Sequence, residues 1–171
     1  SAALWFKYSN IDGNKHLIGK SASGPNNMQY GGWEIRSEGN KLEMQVSFRD
    51  RLMQTNWALI EQEAALTDGS WHHVAMIIDR ENGELKGYLD GAALTIVSLP
   101  EGQGPITAAM NSSGYGGGSP FRVGGHAGVD CVDGANEGDA QVCTVHDGQS
   151  FDSVKLYHKA LTDAEVLALF N

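Results

Sequence analysis

The chain has 171 residues, with 21 acidic against 12 basic side chains and a formal net charge of −9. A nucleic-acid partner requires a basic footprint that neutralises phosphates, and this balance excludes it; an anionic membrane surface is disfavoured for the same reason. No run approaches the roughly 18 apolar residues of a membrane span, so membrane insertion is not expected.

The length suits one domain with a sizeable core. Glycine is plentiful at 22 residues, and helical periodicity is confined to the end of the chain. That profile predicts short strands joined by glycine-bearing turns, hence an all-β sandwich or jelly roll.

Ser1-Ala2-Ala3 leads straight into Ala2–Tyr8 (AALWFKY), a nearly continuous apolar run that reads as a strand buried on both faces. Residues 10–14 carry an Asp-Gly turn, His16–Lys20 reads as a short strand, and Ser21–Asn27 has loop chemistry. Trp33–Ser37 sets Trp33 and Ile35 against Glu34 and Arg36. Lys41–Phe48 alternates cleanly, with Leu42, Met44, Val46 and Phe48 inward and Lys41, Glu43, Gln45 and Ser47 outward, the pattern of a half-buried strand. Arg49–Thr55 is irregular, and one more strand is expected within Trp57–Leu66.

Asp68–Gly91 (DGSWHHVAMIIDRENGELKGYLDG) is a hairpin written in sequence. His72–Asp79 and Glu84–Leu89 are its arms, and Asn82-Gly83 is the pair that tolerates positive φ in the turn between them. Asp90-Gly91 turns the chain again into Ala92–Ser98. A long connection rich in Gly and Pro follows, Leu99–Gly118, of the kind that often carries binding. Phe121–Gly125 and Phe151–Tyr157 read as strands, separated by the acidic stretch Val129–Asp147. In the last segment Thr162 and Glu165 form a capping box, with Leu161 and Val166 at the hydrophobic-staple positions, predicting a short helix.

The central hairpin resembles the signature of laminin-G-like domains in the concanavalin A-like lectin/glucanase group. Asp68, Gly69, Trp71, His72, His73, Val74, Ala75, Asp79, Gly83, Tyr88, Asp90 and Gly91 carry the match, and Phe151–Phe170 is similar to the family's closing strand and helix. The resemblance implies a concanavalin A-like jelly roll of two antiparallel sheets with one short C-terminal helix, spanning residues 1–171 as one domain. It also implies an extra N-terminal strand ahead of Ala2–Tyr8, which this sequence lacks. Fold alone does not fix function here, because lectins, adhesion domains and enzymes share it.

Glycoside hydrolysis needs two carboxylates facing one bond, and the E-x-D-x-E strand pattern of this fold's glucanases is absent. No catalytic residue and no enzymatic activity are therefore expected. His72 and His73 are adjacent on a strand and point to opposite faces, so they do not chelate one ion together; the signature assigns them structural roles. Calcium wants six to eight oxygens on a Gly-permissive loop. Asp133, Asn136, Asp139 and Asp152 are the candidate ligands, for a structural Ca²⁺ such as many relatives hold near the sandwich rim. Cys131 and Cys143 are expected to pair, which would stabilise their Gly- and Asp-rich loop by about 3 kcal/mol and imply an oxidising compartment.

Glycan binding needs exposed rings that stack on sugar C–H faces, plus a few planar polar groups. Trp5 and Trp71 read as core and Trp33 leans the same way, whereas Trp57 has polar company and is as readily a surface ring. Tyr30 and Tyr115 lie on loops. The predicted ligand site gathers Tyr30, Trp57 and Tyr115 with Asn27, Arg49, Arg51 and Asn111. The expected function is a non-catalytic carbohydrate-binding (lectin-like) module of a secreted or surface protein, its partner a glycan or polysaccharide. Such a module is readily appended to a polysaccharide-degrading enzyme. The alternative is an adhesion or protein-interaction domain with a protein partner, and a polysaccharide-active enzyme ranks third.

Overall fold

The computed structural model describes residues 1–8, 14–23, 29–49, 55–66, 68–101, 106, 121–124, 131–132, 142–143 and 148–171. Two antiparallel sheets face each other. One runs β13(Gln149–Leu156), β1(Ala2–Tyr8), β6(His72–Asp79), β7(Glu84–Leu89), with the short β8(Ala92–Ala93) and β9(Val97–Ser98) both pairing with β7. The other runs β10(Arg122–Val123), β2(Asn14–Ser23), β3(Gln29–Glu38), β4(Lys41–Arg49), β5(Thr55–Glu63). A third pairing joins β11(Cys131–Val132) to β12(Val142–Cys143).

Period-two alternation builds the core. Leu4, Phe6 and Tyr8 on β1 meet Leu42, Met44, Val46 and Phe48 on β4, and all are fully or almost fully buried. Across this interior the Ser37 hydroxyl donates to the Tyr8 phenol oxygen at 3.2 Å, tying one sheet to the other. Burial pushes the Tyr8 phenol well above its ordinary pKa, against the smaller opposing effect of Ser37.

The central hairpin forms as its residues dictate. Gly83 takes φ 68° in the turn, and the Asp79 carboxylate accepts from the Asn82 backbone N–H at 3.0 Å and from its amide at 2.8 Å. Two local expectations are corrected. Ser21, Ala22 and Ser23 continue β2 rather than opening a loop, because they find partners in Gly32, Tyr30 and Gln29 of β3; cross-strand pairing outweighs the loop composition. The strand expected over Phe121–Gly125 is Arg122–Val123 among the described residues, and Ala92–Ser98 holds two short strands.

The outer face of the six-stranded sheet is covered by helix α1(Asp163–Phe170). Its capping box forms as predicted: Thr162 accepts from the Glu165 N–H while Glu165 accepts from the Thr162 N–H. Glu165 also pairs with Lys159, and that bond first, with the Thr162 N–H second, holds its carboxyl down at about 2. Leu161 and Val166 are buried in a second apolar cluster with Ala3, Ala75, Ile77 and Tyr88. The Tyr88 hydroxyl donates to Asp163 at 2.5 Å, and burial together with this carboxylate raises the phenol to about 12. Beside it Trp5 stacks on Phe170 with ring centres 5.6 Å apart, and His73 lies against both rings.

Trp71, expected in the core, is 43% exposed, with the Lys7 ammonium 5.2 Å from its ring centre. It stands just ahead of β6, before the strand passes beneath α1, so the sequence signature reports its turn rather than its burial.

His73 is buried, and desolvation first of all lowers its pKa, with Asp90 opposing and Lys155 adding to the effect. The unfolded chain takes up its proton near pH 6.5 while the folded chain resists it, so this stability is full above about pH 6.5 and is lost as pH falls through the folded value. Chemical denaturation at descending pH is expected to show that loss, and His73→Phe to flatten it between pH 7 and 5. An unchanged pH profile in His73→Phe would remove His73 as its source.

Candidate functional site

Among the described residues no helix covers the outer face of the five-stranded sheet, and most of its side chains are polar. On β3, β4 and β5 the register sets Gly32 against Ser47 and Ser47 against Trp57, then Glu34 against Gln45 and Gln45 against Leu59. The next row is Arg36 against Glu43 and Glu43 against Glu61, and β2 adds His16 opposite Arg36. Strand alternation alone therefore assembles a field of opposed charges.

The alternation of β4 was legible, but its outward residues are not solvated. Glu43 is 3% exposed, and Gln45, Ser47, Glu34 and His16 are buried as well. Buried carboxylates need partners, and they have them. The Arg36 Nε donates to Glu43 Oε2 at 2.5 Å, and its Nη1 lies 3.4 Å from Glu34 Oε1. The Lys41 ammonium sits 2.8 Å from Glu43 and 2.9 Å from Glu61, and His16 Nδ1 is 3.6 Å from Glu34. Burial acting alone would raise the Glu43 carboxyl, but hydrogen bonds from Lys41 and Arg36 pull it below the usual carboxylate range. Gly19 faces Glu34 across the β2–β3 ladder, where a Cβ would come within 2.9 Å of the Glu34 Cβ and of the Trp33 carbonyl oxygen. Only glycine lets the strands lie this close.

At the edge of this field stands Trp57, 59% exposed. An apolar ring left in water beside preorganised polar groups is what a sugar-stacking surface requires. Trp57 is the member of the predicted site whose side chain the structure describes. Tyr30 lies in β3 opposite Ala22, and Arg49 in β4 opposite Thr55, each two residues beyond the Gly32–Ser47 pair, so their backbones converge on the Trp57 end. Asn27, Arg51, Asn111 and Tyr115 lie outside the described residues, as do Asp133, Asn136 and Asp139.

Asp152, the remaining predicted metal ligand, is exposed on β13, where its Oδ1 accepts from the Ser153 N–H at 2.5 Å. Among the described residues no group of three or more His, Cys, Asp or Glu is placed to hold a metal ion. The His72–His73 pair divides between two surroundings, as adjacency on a strand demands. His72 Nδ1 lies 2.8 Å from Asp90, whose other oxygen accepts from the His73 backbone N–H at 2.8 Å. The residues that sequence reasoning passed over are His16, Glu34, Arg36, Lys41, Glu43 and Glu61. Glu34, Arg36, Lys41 and Glu43 stand in the charge alternation of β3 and β4, which the sequence sets outward; no comparable signal marks His16 on β2 or Glu61 on β5.

The family model of the concanavalin A-like lectin/glucanases superfamily, laminin G type, matches residues 1–167. The chain belongs to this family. No curated protein sequence matches it. Among solved structures it is similar to the CBM40 of the Ruminococcus gnavus IT-sialidase, in a structure bound to alpha2,3 sialyllactose. Identity is 14% over 99% of this chain and 81% of that one, with a TM-score of 0.64. It is also similar to the leech intramolecular trans-sialidase, at 15% identity over 99% of this chain and 22% of that one, with a TM-score of 0.64. The binding domain of botulinum neurotoxin serotype D/C is a third, at 13% identity over 99% of this chain and 35% of that one, TM-score 0.58. These likenesses establish the two-sheet sandwich of this laminin-G-like chain.

The lattice around Arg36 predicts a contrast in stability. Arg36→Met strips a shared cation from two buried carboxylates and is expected to destabilise the domain by about 3 kcal/mol. Trp57→Ala, at an exposed ring, is expected to change stability by no more than about 0.5 kcal/mol. Urea denaturation of both variants measures the difference; a large loss in Trp57→Ala would mean that the ring supports the fold.

Proposed function

We propose that the protein is a non-catalytic, lectin-like carbohydrate-binding module. Its glycan lies on the outer face of the five-stranded sheet and stacks on Trp57. The exposed ring beside a rigid, hydrogen-bonded polar field is the observation that carries this reading. The oxygens of Glu61, exposed on the same face of β5 as Trp57, are held by the Lys41 ammonium at 2.9 Å, so a sugar hydroxyl meets a group that needs little reordering, which limits the entropic cost of binding. Tyr30 and Arg49 extend the same end of the face, and Asn27, Arg51, Asn111 and Tyr115 are proposed contributors from the connecting segments. Membership of the lectin/glucanase superfamily supports the reading, as does likeness to a carbohydrate-binding module solved with a sialylated glycan.

A hydrolytic role finds no support in the charge arrangement. The general acid of a glycosidase is a carboxyl held protonated by a raised pKa. Glu43 is pulled the opposite way, and Arg36 occupies the position between Glu43 and Glu34. A binding face is what such a neutralised pair suits.

A glycan array probed with the 171-residue chain, using plant, algal and sialylated glycans, tests the proposal. Binding is expected, with Trp57→Ala weakening it at least about tenfold, the scale of one lost stacking contact, while the melting temperature is kept. Silence on every glycan together with capture of a protein would favour the adhesion reading.

We further propose a secreted or cell-surface setting, a Cys131–Cys143 disulfide and a structural Ca²⁺. Cys131 and Cys143 are direct partners in the β11–β12 pair, and antiparallel partners sit about 4.5–5.5 Å apart at Cα, a span a disulfide bridges. The pair encloses Asp133, Asn136 and Asp139 in one connection, and Asp152 follows on β13. Among the described residues no helix is long and apolar enough to cross a membrane. Calcium is expected to raise the melting temperature and EDTA to reverse it, and the native protein to resist thiol alkylation. A melting curve indifferent to both additions would dismiss the ion, and two alkylated cysteines would dismiss the bond.

A further inference from the structure

Strand β13 forms the outermost position of the six-stranded sheet, and one of its sides has no partner strand among the described residues. It is exposed over most of its length, with Val154 38% and Leu156 51% exposed. The adjacent edge of the other sheet is β10, where Val123 and the preceding Phe121 are exposed. The two edges share one flank, since a Cβ on Gly124 would lie 2.8 Å from the Phe151 ring. Unpaired backbone groups and four apolar side chains are therefore gathered on one side of the sandwich. Such an edge is a template for another strand.

The sequence of β13 names the strand that fits. Residues three apart ordinarily point to opposite faces of a sheet. In β13 a bulge intervenes: Trp5 pairs with Asp152 and Ala3 with Lys155, so two steps on β1 span three on β13, with Ser153 at φ 48°. Asp152 and Lys155 consequently share the outer face with Trp5 and Ala3. Phe151 and Leu156, opposite Phe6 and Ala2, share the inner one. An antiparallel copy of this strand, related by a two-fold axis between Ser153 and Val154, places each Asp152 opposite the other copy's Lys155. It also sets each Phe151 opposite the other copy's Leu156. Without the bulge these pairs would fall on opposite faces.

We propose that β13 is a self-complementary edge through which two copies of this chain join, making the six-stranded sheets continuous across an isologous two-fold interface. The two ion pairs fix the register, and the edge hydrogen bonds with the apolar flank hold it. The dimer presents two outer five-stranded faces, so a polymeric ligand carrying repeated units is gripped at two points.

Sedimentation of the 171-residue chain over a dilution series tests this. A reversible monomer–dimer equilibrium is expected. Lys155→Asp, which sets like charges opposite one another twice, should raise the dimer dissociation constant by about tenfold or more. The double exchange Asp152→Lys with Lys155→Asp restores opposite charges and should recover the dimer. Melting curves identify any variant that has lost its fold, and the comparison is made among folded ones. A chain that is monomeric at every concentration overturns the proposal. So does a dimer indifferent to Lys155→Asp, or a folded double variant that does not recover association.

Discussion

Arg36 is the residue on which the outer face of the five-stranded sheet depends. Three of the field's members, Arg36, Glu34 and Glu43, would be intolerable there singly, because a charge removed from water without a partner costs several kcal/mol. Held together by the Arg36 guanidinium, with Lys41 and His16 closing the ends, they become a fixed array of donors and acceptors. The sheet can therefore bury one face in an apolar core and keep the other dry enough to be rigid, yet polar. Such a surface suits recognition of a hydroxyl-rich ligand better than either a greasy face or a mobile, fully solvated one.

The two sheets divide the labour. On the six-stranded sheet the outer face is consumed by packing: α1, Trp5, Phe170 and the uncharged His73 form a second apolar layer there. On the five-stranded sheet no helix intervenes among the described residues, and Trp57 is left in water at the border of the charged array. Family membership in the concanavalin A-like superfamily and this asymmetry point the same way. The proposed glycan surface lies on the sheet that the C-terminal helix does not cover.

Much of the scaffold was legible because its signals are local. The Asn82-Gly83 turn, the alternation of β4 and the Thr162–Glu165 capping box each depend on a few neighbouring residues, and each forms as read. What was missed depends on pairing between distant residues. Ser21–Ser23 look like a loop until β3 lies beside them, and the polar alternation of β3 and β4 looks solvated until Arg36 is seen between Glu34 and Glu43. The misreading of Trp71 has the same origin, since a signature records a turn and not how far the strand beyond it is covered. Trp57 was recognisable from its polar neighbours Asn56 and Thr55. Most of the residues proposed to join it in a site come from other strands, and no spacing in the sequence announces that they meet.

The claim that the Trp57 end of the open sheet is the ligand surface is tested most directly by amide and indole chemical-shift mapping. The protein would be titrated with an oligosaccharide selected by array binding. The account predicts perturbations centred on the Trp57 indole and the Gln45 and Ser47 amides, fading toward the Lys41–Glu61 end and absent beneath α1. Perturbations centred instead on the Trp71 and Asp90 end of the central hairpin, or on the helix-covered face, would contradict it.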